Sequence, residues 1–200
     1  MKKYFNIEQI EETGDDQQPA DKSGILVERF LQLHEHRIES IKDLAGHPPA
    51  AGEMFFLWTV NSFNAFTFIP YIIKESGSID ELILSTYSIN IRIIDALIRL
   101  IDKCLIASVV IFISDSIRSR LPKVYDHLMA LVETRPVRVI YAWNHSKIAL
   151  IRSGDNYFAV EGSGNWGENA QHEQYVFLNN KRVFEFRKNE ILHGIIPRSV

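Results

Sequence analysis

The residues with the most chemical content lie in the last third of the chain. Asn144-His145-Ser146-Lys147 precedes an apolar run, Ile148-Ala149-Leu150-Ile151; Glu161-Gly162-Ser163-Gly164-Asn165-Trp166 follows after a turn, and Glu173 stands ahead of a further apolar run. The spacing predicts a strand over 147–152, and period-2 geometry sets His145 and Lys147 on one side of it, converging an imidazole and an ammonium on one point. Gly162 and Gly164 permit a tight turn and close backbone approach, while Ser163 and Asn165 add short polar groups. A nucleophile or acid, a fixed cation and neutral hydrogen-bond donors are the parts of an oxyanion site.

His-x-Lys followed by Gly-Ser-x-Asn, here Gly162-Ser163-Gly164-Asn165, and then by an acidic residue before an apolar strand resembles the signature of the phospholipase D superfamily. The resemblance covers roughly residues 55–190 and is strongest over 145–173. It implies that His145 attacks phosphorus to give a phosphohistidine, or acts as the acid. Lys147 and Asn165 hold the phosphoryl oxygens with Ser163 in support, and Glu173 accepts a hydrogen bond from the catalytic histidine. Gly162 and Trp166 join Ser163 on the substrate side. The acid expected five residues after the lysine is replaced by Arg152, and the nearest carboxylate, Asp155, is assigned no catalytic role. The mechanism uses two histidines, whereas the sequence carries one copy of the motif. Single-motif relatives pair two identical chains about a two-fold axis, so the resemblance implies a homodimer with a shared active site and no metal or other cofactor. A nuclease cutting DNA or RNA is the leading expectation. A phospholipase or phosphatidyltransferase acting on lipid, and a non-catalytic nucleic-acid-binding module, are the alternatives.

Other candidates read as ordinary structure. His34-Glu35-His36 falls on a predicted helix, where i and i+2 point to different sides, so a polar face is expected rather than a metal site. His172 is expected to be an exposed neighbour of Glu173, and Cys104, the single cysteine, a small buried apolar side chain. Trp143 and Trp166 flank the motif and fit either a substrate groove or the core.

These residues need a scaffold. Short apolar runs at Met54–Val60, Glu81–Ser88, Val109–Ser114 and Val137–Trp143 alternate with amphipathic stretches at Ala65–Lys74, Ile91–Lys103 and Leu121–Glu133. Lys147–Arg152, Tyr157–Val160 and Gln174–Leu178 then read as strands joined by tight loops. The pattern predicts an α/β fold, a mixed, largely parallel sheet flanked by helices, over residues 51–200. Ahead of it are expected a mobile acidic arm (1–24) and a helical extension (25–50) with an amphipathic helix over Ile25–Leu44.

The net charge is -3, but Asp115–Arg152 holds seven basic and three acidic side chains, whereas residues 1–20 hold five acidic and two basic. A local positive face able to meet a nucleic-acid backbone is therefore compatible with the negative sum. The longest apolar stretches are about half the roughly 20 residues of a spanning helix, so no stable membrane insertion is expected. The start lacks the apolar segment of a secretory signal, and a cytoplasmic location is expected by default.

Overall fold

The computed structural model describes residues 46–59, 65–167 and 172–193. The arm and the helix expected over 1–45 lie outside these residues. The strands are β1 (Met54–Thr59), β2 (Glu81–Thr86), β3 (Val109–Ser114), β4 (Val137–Ala142), β5 (Ile148–Ser153), β6 (Asn156–Gly162) and β7 (Glu173–Asn179). They form one sheet in the order β1-β7-β6-β5-β2-β3-β4. The pairs β2–β3 and β3–β4 are parallel, and the other four are antiparallel. The mixed sheet therefore has five strands running one way and β5 and β7 running the other. The parallel half comes from helical crossovers, and the antiparallel half from hairpins, which need no crossover.

The helices are α1 (Phe68–Ser76, led by a 3-10 turn at Ala65–Thr67), α2 (Ile91–Asp102), α3 (Ile117–Arg120), α4 (Pro122–Thr134) and α5 (Lys181–His193). Asn90 caps α2 by accepting from the Ile93 N–H at 2.9 Å, and Ile93, Ile94, Leu97 and Ile101 form the buried stripe below that cap. Buried residues of α1, α2 and α4 join one face of the sheet in the main core, where Leu84, Ile111, Ile113 and Ile151 lie. Phe184 and Ile191 of α5 cover a smaller cluster on the opposite face with Ile83, Leu150 and Leu178.

Two local features differ from the sequence reading. Helix α5 was not legible from hydrophobic period, because only Phe184 and Ile191 are buried, Val183 and Leu192 are partly buried, Phe186 is exposed and the rest is polar. Its start is nevertheless marked by Asn180, whose Oδ1 accepts from the N–H groups of Arg182 and Val183 at 3.0 and 3.2 Å. Cys104 is exposed rather than buried. It follows the C-cap of α2 with φ of 58°, a left-handed turn position that swings the side chain away from the core.

Candidate active site

Strand β4 lies at one edge of the sheet, yet β5 pairs with the far side of β2, so the chain between them must cross the ends of β3 and β2. Residues 143–147 make that crossing, and buried Asn144 bolts them down. Its Nδ2 donates to Ser85 Oγ at 3.0 Å, to the Thr86 carbonyl at 3.0 Å and to the Phe112 carbonyl at 3.1 Å. Its Oδ1 accepts from the N–H and hydroxyl of Ser146 at 2.9 and 2.7 Å. Ser146 and Ser85 also share a short hydroxyl contact. One amide thus closes the gap between β2, β3 and the crossing loop.

The loop presents His145 in an exposed position at the end where β2, β3 and β4 finish, the end at which open α/β sheets characteristically hold ligands. Lys147 lies immediately before β5 and is half-buried. Its Nζ sits 3.0 Å from His145 Nδ1 and 2.6 Å from the His145 carbonyl oxygen. The expected convergence is present, although both residues precede the strand rather than belong to it. Burial holds the Lys147 ammonium below the ordinary lysine value, and the Glu173 carboxylate acts in the opposite direction.

Ser163 and Asn165 follow β6, and Glu173 opens β7 on the neighbouring strand. Glu173 is buried and accepts a short hydrogen bond from the Ser163 hydroxyl. The Gln174 N–H returns to Ser163 Oγ at 3.1 Å, so serine and carboxylate form one unit. Beneath them lies Tyr175. A Cβ on Gly162 would strike its ring and approach the Gln174 carbonyl to 2.6 Å, and a Cβ on Gly164 would strike its hydroxyl. Both glycines are therefore required for space, and neither adopts a left-handed φ. Burial, then the Glu173 charge, pushes the Tyr175 phenol well above its ordinary value.

Residues 164–167 are hung from the loop after β2. The Trp166 N–H donates to the Ser88 carbonyl at 3.1 Å, and the Asn90 N–H donates to the Trp166 carbonyl at 3.0 Å. The same loop carries Tyr87, whose ring centroid is 5.0 Å from that of His145. Asn165 lines a cleft of about 770 Å³ with Ser88, Asn90, Arg92 and Leu121. Its Oδ1 is buried without a hydrogen-bond partner among the described residues. Trp166 is fully buried, with its ring 6.2 Å from Phe66, so it anchors the loop from the core and does not line the substrate side. His172 is exposed, its ring 5.9 Å from Trp58.

The departure from the motif falls at the far end of β5. Arg152 Nη1 lies 3.3 Å from Asp80 Oδ2, the same oxygen that accepts from the Gly154 N–H at 2.9 Å. The carboxylate supporting this hairpin therefore comes from Asp80, and both Arg152 and Asp155 lie at the opposite end of β5 from His145. Asn144, Tyr87 and Tyr175 were not identified as site-shaping residues in the sequence, because their partners lie far away along the chain. Among the described residues, no group of three or more His, Cys, Asp or Glu side chains could hold a metal ion. Nor is any helix among them long and apolar enough to cross a membrane.

No family model and no curated protein sequence matches the chain. Solved structures do. Polyphosphate kinase from Porphyromonas gingivalis superposes with a TM-score of 0.53 at 18% identity, over 74% of this chain and 27% of the kinase. Phosphatidylserine synthase from Haemophilus influenzae Rd KW20 gives 0.49 at 10% identity, over 69% of this chain and 37% of the synthase. The chain thus spans about a quarter of the kinase and little more than a third of the synthase. The likeness to the kinase shows the fold, which is phospholipase D-like: a mixed seven-stranded sheet flanked by helices.

Proposed function

We propose that this chain is a metal-independent phosphodiesterase, acting as a nuclease on DNA or RNA through a phosphohistidine intermediate. The observation that carries the reading is convergence. His145 and Lys147 arrive from the loop crossing the sheet, Ser163 and Asn165 from the end of β6, and Glu173 from β7, all at one end of the sheet.

A cationic Lys147 at 3.0 Å can only donate to His145 Nδ1, and a neutral ring then carries its proton on Nε2. An entering phosphodiester competes for the ammonium. Once Lys147 turns to a phosphoryl oxygen, Nδ1 can carry the ring proton and Nε2 is free to attack. A P–N bond forms, the P–O bond to the leaving alkoxide breaks, and a second histidine donates the proton that alkoxide needs. Lys147 and Asn165 hold the charge that gathers on the phosphoryl oxygens. Water then attacks phosphorus, gives its proton to the second histidine, which the first step left neutral, and the P–N bond to His145 breaks. Glu173 holds Ser163 in place and supports the catalytic histidines.

The second histidine comes from a second copy, paired about a two-fold axis so that one site serves two chains. The apolar strip of Met54, Phe56 and Trp58 supports pairing: these side chains are 48%, 74% and 64% exposed on edge strand β1. Exposed Arg118 and Arg120 near the site support a polyanionic substrate. The test is hydrolysis of bis(p-nitrophenyl) phosphate and of oligonucleotides in excess chelator. Turnover by the wild type and its loss in His145→Asn are expected, with an acid-labile phosphoryl adduct on the wild-type histidine. Full activity in His145→Asn, or loss on chelation reversed by Mg²⁺ or Zn²⁺, overturns the reading.

A further inference from the structure

Trp143 is 78% exposed, an unusual position for the largest apolar side chain, and it sits two residues before His145 at the corner where β4 ends. Two arginine-tyrosine pairs involve its chain neighbours, one through Tyr141 and one through the Tyr87 ring beside His145. The Arg120 guanidinium lies 4.2 Å over the Tyr87 ring, itself 5.0 Å from the His145 ring. The Arg118 guanidinium lies 4.7 Å over Tyr141, two residues before Trp143, and 5.5 Å over Tyr125. A guanidinium placed over an aromatic face can still offer N–H groups to phosphate; Arg120 directs its Nε to Ser116 Oγ at 3.3 Å, which leaves its terminal amino groups for that role. Fixed cations beside an exposed aromatic face are the layout that holds a strand with unpaired bases: phosphates follow the cations and a base stacks on the ring. A duplex hides its base faces within its own stack.

We propose that Trp143, with Arg118 and Arg120 placed over Tyr141 and Tyr87, is a base-stacking platform that selects single-stranded nucleic acid for the site at His145. The inference rests on the phosphodiesterase reading of that site. Binding is measured by fluorescence anisotropy with the full chain in a His145→Asn background, so that no strand is cut. The probes are a labelled single-stranded oligodeoxythymidylate and an equal-length duplex, with inorganic polyphosphate as a base-free competitor. The single strand should bind roughly 10-fold more tightly than the duplex at the same salt, and Trp143→Ala should weaken it by roughly 10-fold. The same substitution should affect polyphosphate far less. Arg120→Gln should weaken both polyanions and flatten the salt dependence. Equal binding of duplex and single strand, an unaffected Trp143→Ala, or equal losses on strand and polyphosphate overturns the platform. Trp143-dependent strand binding by a wild type that hydrolyses no diester upholds the platform and overturns the enzyme reading instead.

Discussion

In the proposed mechanism the ammonium that sits 3.0 Å from an imidazole nitrogen turns to phosphate, so Lys147 is the residue whose protonation should control turnover. Burial lowers its pKa, and the Glu173 carboxylate opposes that effect. The sign follows directly. On the proposed mechanism the charged form binds the diester, so kcat/KM should fall as pH rises through the lowered pKa, with the alkaline limb below the ordinary lysine value. Glu173→Gln removes the opposing charge, so its residual alkaline limb should move to lower pH still. A limb at the ordinary lysine position, or one that Glu173→Gln leaves in place, counts against this role. For stability the lowered pKa means that the folded protein releases this proton first, so this group's contribution becomes more favourable as pH rises toward the unfolded lysine value.

Gly164 offers a second test on single residues. An added Cβ would collide with the Tyr175 hydroxyl and stand 3.3 Å from the Glu173 carboxyl carbon. Gly164→Ala should cost about 1–3 kcal/mol, as overpacking does, and lower turnover by displacing Glu173. Tyr175→Phe removes the colliding oxygen, so the double variant should regain part of the melting temperature lost. Additive losses in the pair would mean that Gly164 is needed for some other reason.

Among the elements, the loop between β4 and β5 has most to do, because it must cross the sheet end and still hold His145 still. Asn144 achieves this by sharing its two Nδ2 hydrogens among two carbonyls and a serine while its Oδ1 accepts from Ser146. Asn144→Ala removes a donor from the Thr86 and Phe112 carbonyls and should cost about 1–3 kcal/mol. Asn144→Asp keeps the shape but turns an acceptor toward the Thr86 and Phe112 carbonyls. It should be worse than alanine in both melting temperature and kcat, and the reverse order would show that shape rather than donation matters here. The contrast also shows what was legible in sequence. The strands could be read because each is a short apolar run with breakers on either side, and α2 because its apolar residues recur at helical spacing. Asn144 could not, since its partners on β2 and β3 lie far back in the chain and nothing local marks them. Gly162 and Gly164 were legible as a place of close approach, but the body approaching, the ring of Tyr175, appears only once β6 and β7 pair. Trp166 carried no local sign separating a groove from a core; its full burial against Phe66 follows from the pairing of its backbone with Ser88 and Asn90.

For the whole molecule, the question is whether one chain can complete the reaction. The proposed chemistry asks for a nucleophile and a separate proton donor, and the motif supplies one histidine per chain. If two chains share a site, the assembly should scatter light as about twice 23.1 kDa. Phe56→Glu, placing a charge on the exposed strip of β1, should yield folded monomers with little turnover, since the outward position of Phe56 leaves the core untouched. Subunit mixing then separates a shared site from two independent sites in a dimer. When wild-type and His145→Asn chains exchange freely at equal concentration, about a quarter of the dimers hold two wild-type chains. A site that needs both histidines is complete in those dimers alone, so activity per wild-type chain should fall to about half. Independent sites predict no fall at all, because every wild-type chain works whatever its partner. Phe56→Glu chains that do not pair should leave the wild type undiminished when mixed with it, which controls for simple dilution or aggregation. Undiminished activity in the His145→Asn mixture, despite demonstrated exchange, would assign proton donation to a group within the same chain.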